Sequence, residues 1–192
     1  LQVLIHGVLH DQDLQSAGVM HEGEFATRLG LAGIPVAAET AIIDRDLRLV
    51  ELTGGRYHIA QISAAESVAT IRAAKARGLQ VSCSVSATHL MLNENDVESY
   101  RTFAKLNPPL RSEADRLALI DGIADGTIDV VVSGHNPQDA EAKRQTFAQS
   151  AYGTVGVETL LAGVLTLYHA DELDLLPLLA TITSHPAALL GL

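Results

Sequence analysis

Short, nearly continuous apolar runs alternate along this chain with stretches of helical spacing. Residues 3–5, 57–62, 81–85 and 128–133 are rich in Val and Ile and too short for helices, so they predict strands covered on both faces. Between them, Ala38, Ile42, Leu49 and Leu52 fall at mostly helical spacing and stop at Gly54-Gly55. Val68, Ile71 and Ala74 form one face of a helix that ends at Gly78, and Ser63 with Glu66 reads as its capping box. A short helix is expected over 22–29. Ser112, with Asp115 three residues on, opens another that runs to about Asp125. Residues 134–156 form a polar loop with a short helical piece. Apolar helices over 157–168 and 175–182 follow, with Pro186 opening a last turn.

Strand and helix in alternation imply parallel strands joined by crossover helices. The four or five such units predict an α/β fold, half of a (β/α)8 barrel or a small open sheet. The chain opens directly on a strand-like run without Met, so it reads as an excerpt whose N-terminus lies upstream. That favours the C-terminal part of a (β/α)8 barrel, with residues 1–192 as one partial barrel domain.

Composition narrows the function. The chain has 192 residues and is 47% hydrophobic and 19% charged, which is ordinary for a globular domain. A net charge of -10 argues against nucleic-acid binding, which needs clustered Lys and Arg to displace phosphate counterions. Apolar runs such as 160–167 are too short to span a bilayer. The single Cys83 sits in an apolar run and reads as a buried, inert thiol, in keeping with a reducing cytoplasm.

In a β/α barrel the chemistry sits where strands end. There the sequence places His6, His10, Asp11 and Asp13, then His58 and Gln61, then Thr88 and His89, then Ser133, His135, Asn136 and Gln138. The histidines invite a zinc reading, but a hydrolytic zinc needs about three His or carboxylate ligands around an open position. Gln61 is a poor ligand and Gly134 has no side chain. Strand alternation puts His58 on the face opposite Gln61. The ordinary reading of these histidines is as hydrogen-bonded core or surface residues, with His135 the least ordinary. Asn107-Pro108-Pro109-Leu110-Arg111 is a stiff loop whose amide and guanidinium suit a carboxylate or imide, or else a rigid rim turn. Gly153 and Gly156 would let backbone approach a ligand, or serve as a plain hinge.

Together these segments resemble a known family. Gly18-Val19-Met20-His21-Glu22-Gly23-Glu24, Gly54-Gly55-Arg56-Tyr57-His58-Ile59, Leu106-Asn107-Pro108-Pro109-Leu110-Arg111 and Tyr152-Gly153-Thr154-Val155-Gly156-Val157-Glu158-Thr159 are similar to bacterial type I dihydroorotases of the amidohydrolase superfamily. The resemblance implies a (β/α)8 barrel whose opening His-x-His strand would precede Leu1. It also implies that several site positions are altered. The family's ligand histidines fall at Val8 and Gln61, and at Thr88 the first histidine of another pair. Its catalytic aspartate, the base that activates water, falls at Gly134, and a substrate-binding histidine at Gln138. A two-residue shift would bring His6 to the Val8 position. Asn107 is the substrate contact that remains.

The resemblance therefore implies a pseudo-dihydroorotase without bound metal. The family includes inactive homologues that act as structural subunits with aspartate carbamoyltransferase in pyrimidine biosynthesis, so that partner and an oligomer are expected. The alternatives are an active zinc amidohydrolase with a rearranged site drawn from His6, His10 or His135, and a ligand sensor that binds through Asn107 and Arg111 without turnover.

Overall fold

The computed structural model describes residues 3–9 and 11–192. The elements, in chain order, are β1 (Leu4–Val8), α1 (Gln12–Gln15), β2 (Met20–His21), α2 (Glu24–Leu29), β3 (Gly33–Ile34), α3 (Ala37–Thr53), β4 (Arg56–Ala60), α4 (Ala65–Ala76), β5 (Val81–Ser86) and α5 (Ala87–Met91). Two 3-10 segments follow, then α6 (Glu113–Ala124), β6 (Val130–Val132), α7 (Ala140–Lys143), α8 (Leu160–His169), α9 (Leu175–Ala180) and α10 (Ser184–Leu190). The main sheet runs β1-β4-β5-β6 and every pairing in it is parallel. Strand order follows chain order, as expected for successive strands joined by crossover helices. A second, two-stranded parallel sheet joins β2 to β3.

The main core lies between this sheet and the layer of α3, α4, α6 and α8. Ile43 and Leu47, Ile59, Val68 and Ile71, Cys83 and Val85, Leu119 and Ile123, and Val164 all bury there. Each such side chain contributes roughly 1.5–3 kcal/mol relative to exposure. Burial and nearby Asp129 push the Cys83 thiol up to about 12, so it is a packing residue, as its apolar run predicts. A satellite core of Met20, Val97, Leu106, Leu110 and Phe147 seats the loops on the strand-end side.

The helix signals hold with one exception. Ser112 and Asp115 form the expected reciprocal capping box at the start of α6. Ser63 does not cap α4. That helix begins at Ala65, and Ser63 turns inward to Glu39 while Asp115 takes the Ala65 amide at 2.8 Å. Donating to a buried carboxylate holds the Ser63 hydroxyl more strongly than accepting from a neutral backbone amide would.

Candidate functional site

The C-terminal ends of β1, β4, β5 and β6 open into a cavity of about 850 Å³. Its polar lining consists of His6, His58, Gln61, Ser84, Ser86, Thr88, His89, Asn107, Ser133, His135, Asn136, Tyr152 and Thr154. No Asp, Glu, Lys or Arg among the described residues lines it. The topology therefore gathers the residues that sequence reasoning placed at strand ends, except Asp11, Asp13 and Gln138. His10 lies outside the described residues.

His58 and Gln61 share this cavity, contrary to strand alternation. β4 ends at Ala60, and Gln61 adopts a left-handed backbone with φ of 50°. That reversal breaks the two-residue period and swings Gln61 inward. Its amide N–H donates to Ser84 Oγ at 3.2 Å.

Most imidazole nitrogens at this mouth are already engaged. His58 stacks on His6 and bonds the hydroxyls of Ser82 (Nδ1, 2.8 Å) and Ser84 (Nε2, 3.2 Å). Burial, reinforced by His6, pushes His58 down to about 4, so it is neutral at pH 7. His89 joins Ser86 Oγ to the Pro108 carbonyl at 2.7 and 3.0 Å, and burial lowers its pKa. His135 Nδ1 accepts the amides of Gly156 and Val157 at 3.1 and 3.2 Å. His6 and His135 Nε2 remain. No three His, Cys, Asp or Glu among the described residues are placed to hold a metal ion. The described donor set therefore does not fit a hydrolytic zinc, which needs deprotonated ligands at about 2.0–2.2 Å.

The positions that the resemblance singled out are plain in the structure. Val8 ends β1 with 74% of its surface exposed and only alkyl groups to offer. Gly134 has φ of 61°, and a Cβ built there would lie 2.9 Å from Ser86 Cβ. A side chain at 134 in this backbone runs into β5. Thr88 is buried at the rim.

Arg111 is not available to clamp a ligand. It is 3% exposed, and its guanidinium points away from the mouth toward Glu39 at 3.6 Å. Its Nε donates to Ser63 Oγ at 3.0 Å and its Nη1 to the Ile34 carbonyl at 3.0 Å. Glu39 in turn accepts from Ser63 N, Ala64 N and Ser67 Oγ at 2.9, 3.3 and 2.5 Å. The Asn107 loop is thus a rigid rim turn on its arginine side. Asn107 alone of the pair reaches the cavity.

Gly153 and Gly156 admit backbone rather than ligand. A Cβ would stand 2.3 Å from the Asn136 carbonyl oxygen at Gly153, and 2.1 Å from that of Ser133 at Gly156. Lys105 and Lys143, not singled out from sequence, are buried and fasten the rim. Lys105 Nζ donates to the carbonyls of Ala148 and Ser150, and Lys143 Nζ to those of Thr102 and Ala151. The serines of β5 also escaped notice, although Ser82, Ser84 and Ser86 recur every second residue and so share one strand face.

Comparison with known proteins agrees with this fold. A family model described as dihydro-orotase-like matches residues 1–67. A dihydroorotase of Desulforapulum autotrophicum is 45% identical over 185 residues, covering 95% of this chain and 43% of that protein. The chain thus spans less than half the length of that relative. The L-hydantoinase (dihydropyrimidinase) of Arthrobacter aurescens superposes with a TM-score of 0.83 at 25% identity, over 98% of this chain and 43% of that one. The inactive dihydroorotase-like domain of the Chaetomium thermophilum CAD-like multifunctional protein superposes with a TM-score of 0.61 at 23% identity. It covers 80% of this chain and 41% of that one, and shows the fold alone. By sequence, then, the chain is dihydroorotase-like, and its fold is a fragment of the amidohydrolase α/β barrel.

Proposed function

We propose that this chain is part of a dihydroorotase-like barrel that does not hydrolyse dihydroorotate, and that it serves as a structural subunit with aspartate carbamoyltransferase in pyrimidine biosynthesis. The observation that carries the absence of hydrolysis is Gly134. The position expected to hold the water-activating carboxylate has no side chain, and its backbone directs any Cβ against Ser86. Losing a general base costs about 10²–10⁴ in rate, before any loss of metal. The partner is inferred from the resemblance of the sequence segments.

One finding favours a second reading. The Desulforapulum relative is named a dihydroorotase, which supports an active enzyme; zinc and the interconversion of carbamoyl-aspartate and dihydroorotate are what the resemblance of the sequence segments adds to that reading. That enzyme would draw on a rearranged site, with His6, His10 or His135 from this chain and further groups from the rest of the barrel. The comparisons favour this second reading, and the local geometry at residues 61 and 134 favours the first. Fold alone serves both.

The deciding experiment uses the full-length protein with dihydroorotate, with and without added zinc, alongside a measurement of bound metal. No turnover in either condition, together with co-elution with aspartate carbamoyltransferase, supports the structural role. Zinc-dependent turnover overturns it and makes His6 and His135 the residues to replace first.

A further inference from the structure

We infer that His89 is a positioning residue, a metal-free latch that holds the Asn107 loop against the end of β5. The inference goes beyond either reading of activity, because it concerns how the mouth is held rather than what reacts there. The Pro108 carbonyl can only accept, so the His89 nitrogen 3.0 Å away, Nε2, carries the proton. Nδ1 then holds a lone pair and accepts from the Ser86 hydroxyl at 2.7 Å. The same Ser86 oxygen accepts the His89 amide at 3.4 Å and caps α5. One imidazole therefore joins the last residue of β5 to the carbonyl of Pro108, the residue after Asn107, with both nitrogens used.

The far side of the loop is fastened separately. Lys105 Nζ holds the Ala148 and Ser150 carbonyls, and the Lys105 carbonyl accepts the Gly153 amide at 2.9 Å. Leu106 and Leu110 anchor it from below in the satellite core. On the cavity side, His89 ties the loop to the sheet. In many metal sites a shared ion performs this joining of strand ends, whereas here a neutral serine–histidine–carbonyl chain does so.

The test is made on the full-length protein. His89→Ala should raise amide hydrogen exchange in the 105–111 segment roughly thirtyfold, the effect of losing about two net hydrogen bonds. His89→Gln places an N–H where Nε2 stands and should restore protection, whereas a volume effect alone would not be rescued this way. Ser86→Ala, a smaller change, should loosen the same segment and no other part of the sheet. In imidazole ¹⁵N spectra His89 should show the Nε2–H tautomer, unchanged by chelator or added zinc. Unaltered exchange in His89→Ala and Ser86→Ala would overturn the latch, as would a zinc-dependent shift of the His89 nitrogens. Neither result bears on dihydroorotate turnover, so the latch and the functional proposal fail separately.

Discussion

Replacing Glu39 tests what keeps the Asn-Pro-Pro-Leu-Arg loop in place. Glu39 and Arg111 are both about 2% exposed at the side chain, and Ser63 bridges them by donating to the carboxylate and accepting from Nε. Glu39→Ala leaves the guanidinium charged, buried and short of a counter-ion, which costs about 3–5 kcal/mol. It also strips an acceptor from Ser63 N, Ala64 N and Ser67 Oγ, at about 1–3 kcal/mol for each group that stays unsatisfied. These losses overlap, so about 4 kcal/mol is expected, a large fraction of the stability of an ordinary domain. Urea unfolding of the full-length protein, followed by circular dichroism, reads this as a lower midpoint at constant slope. The double replacement Glu39→Leu with Arg111→Leu should cost at least about 2 kcal/mol less than the two single changes added together. A Glu39→Ala cost below about 1 kcal/mol, or strict additivity in the double variant, would refute the claim that this pair supports the loop.

Other outcomes follow from particular contacts. His58 is held down near 4 by burial, against about 6.5 when unfolded, so between those values the unfolded chain binds the extra proton. Stability should therefore fall as pH drops through 6.5 toward 4, and a His58→Gln variant should show a shallower fall in melting temperature across that range. Gly156→Ala drives a methyl into the Ser133 carbonyl and disturbs the amide that His135 accepts, so it should cost about 1–3 kcal/mol and shift the His135 imidazole signals. Ser112→Ala removes the capping box of α6 and should cost about 1 kcal/mol in thermal unfolding, with the mouth unchanged. Gly134→Asp should not confer zinc binding in equilibrium dialysis, because its Cβ meets Ser86; stoichiometric zinc uptake would contradict that geometry.

Periodicity revealed the parallel architecture because strands covered on both faces and helices with one apolar stripe leave unmistakable patterns. Thus 81–85 and 112–125 match β5 and α6 closely. The strand-end cluster was legible too, since topology carries chain-distant residues to one rim. What failed depended on competition between partners. Ser63 has the local pattern of a cap because Glu66 sits three residues on, but Glu39, 24 residues back in the chain, binds it instead. For Arg111 the local pattern suits either a ligand clamp or a rigid rim turn, and nothing local announces the buried carboxylate on another helix that decides for the turn. The left-handed turn at Gln61 is likewise invisible to a two-residue period, and it alone brings that side chain inward. The lysines of the rim carry no sequence signature distinct from surface lysines.

The buried Glu39–Ser63–Arg111 knot has a consequence for how such sequences are recognised. The arginine of the most diagnostic segment faces away from the mouth, and of Leu106, Asn107 and Pro108, which line the cavity, Asn107 alone offers a polar side chain. A chain selected purely for its shape would keep this signature as faithfully as one selected for turnover. The segment therefore reports architecture. Evidence of chemistry has to be sought in the residues that end β4 and β6, where a lineage can change occupation without disturbing the frame.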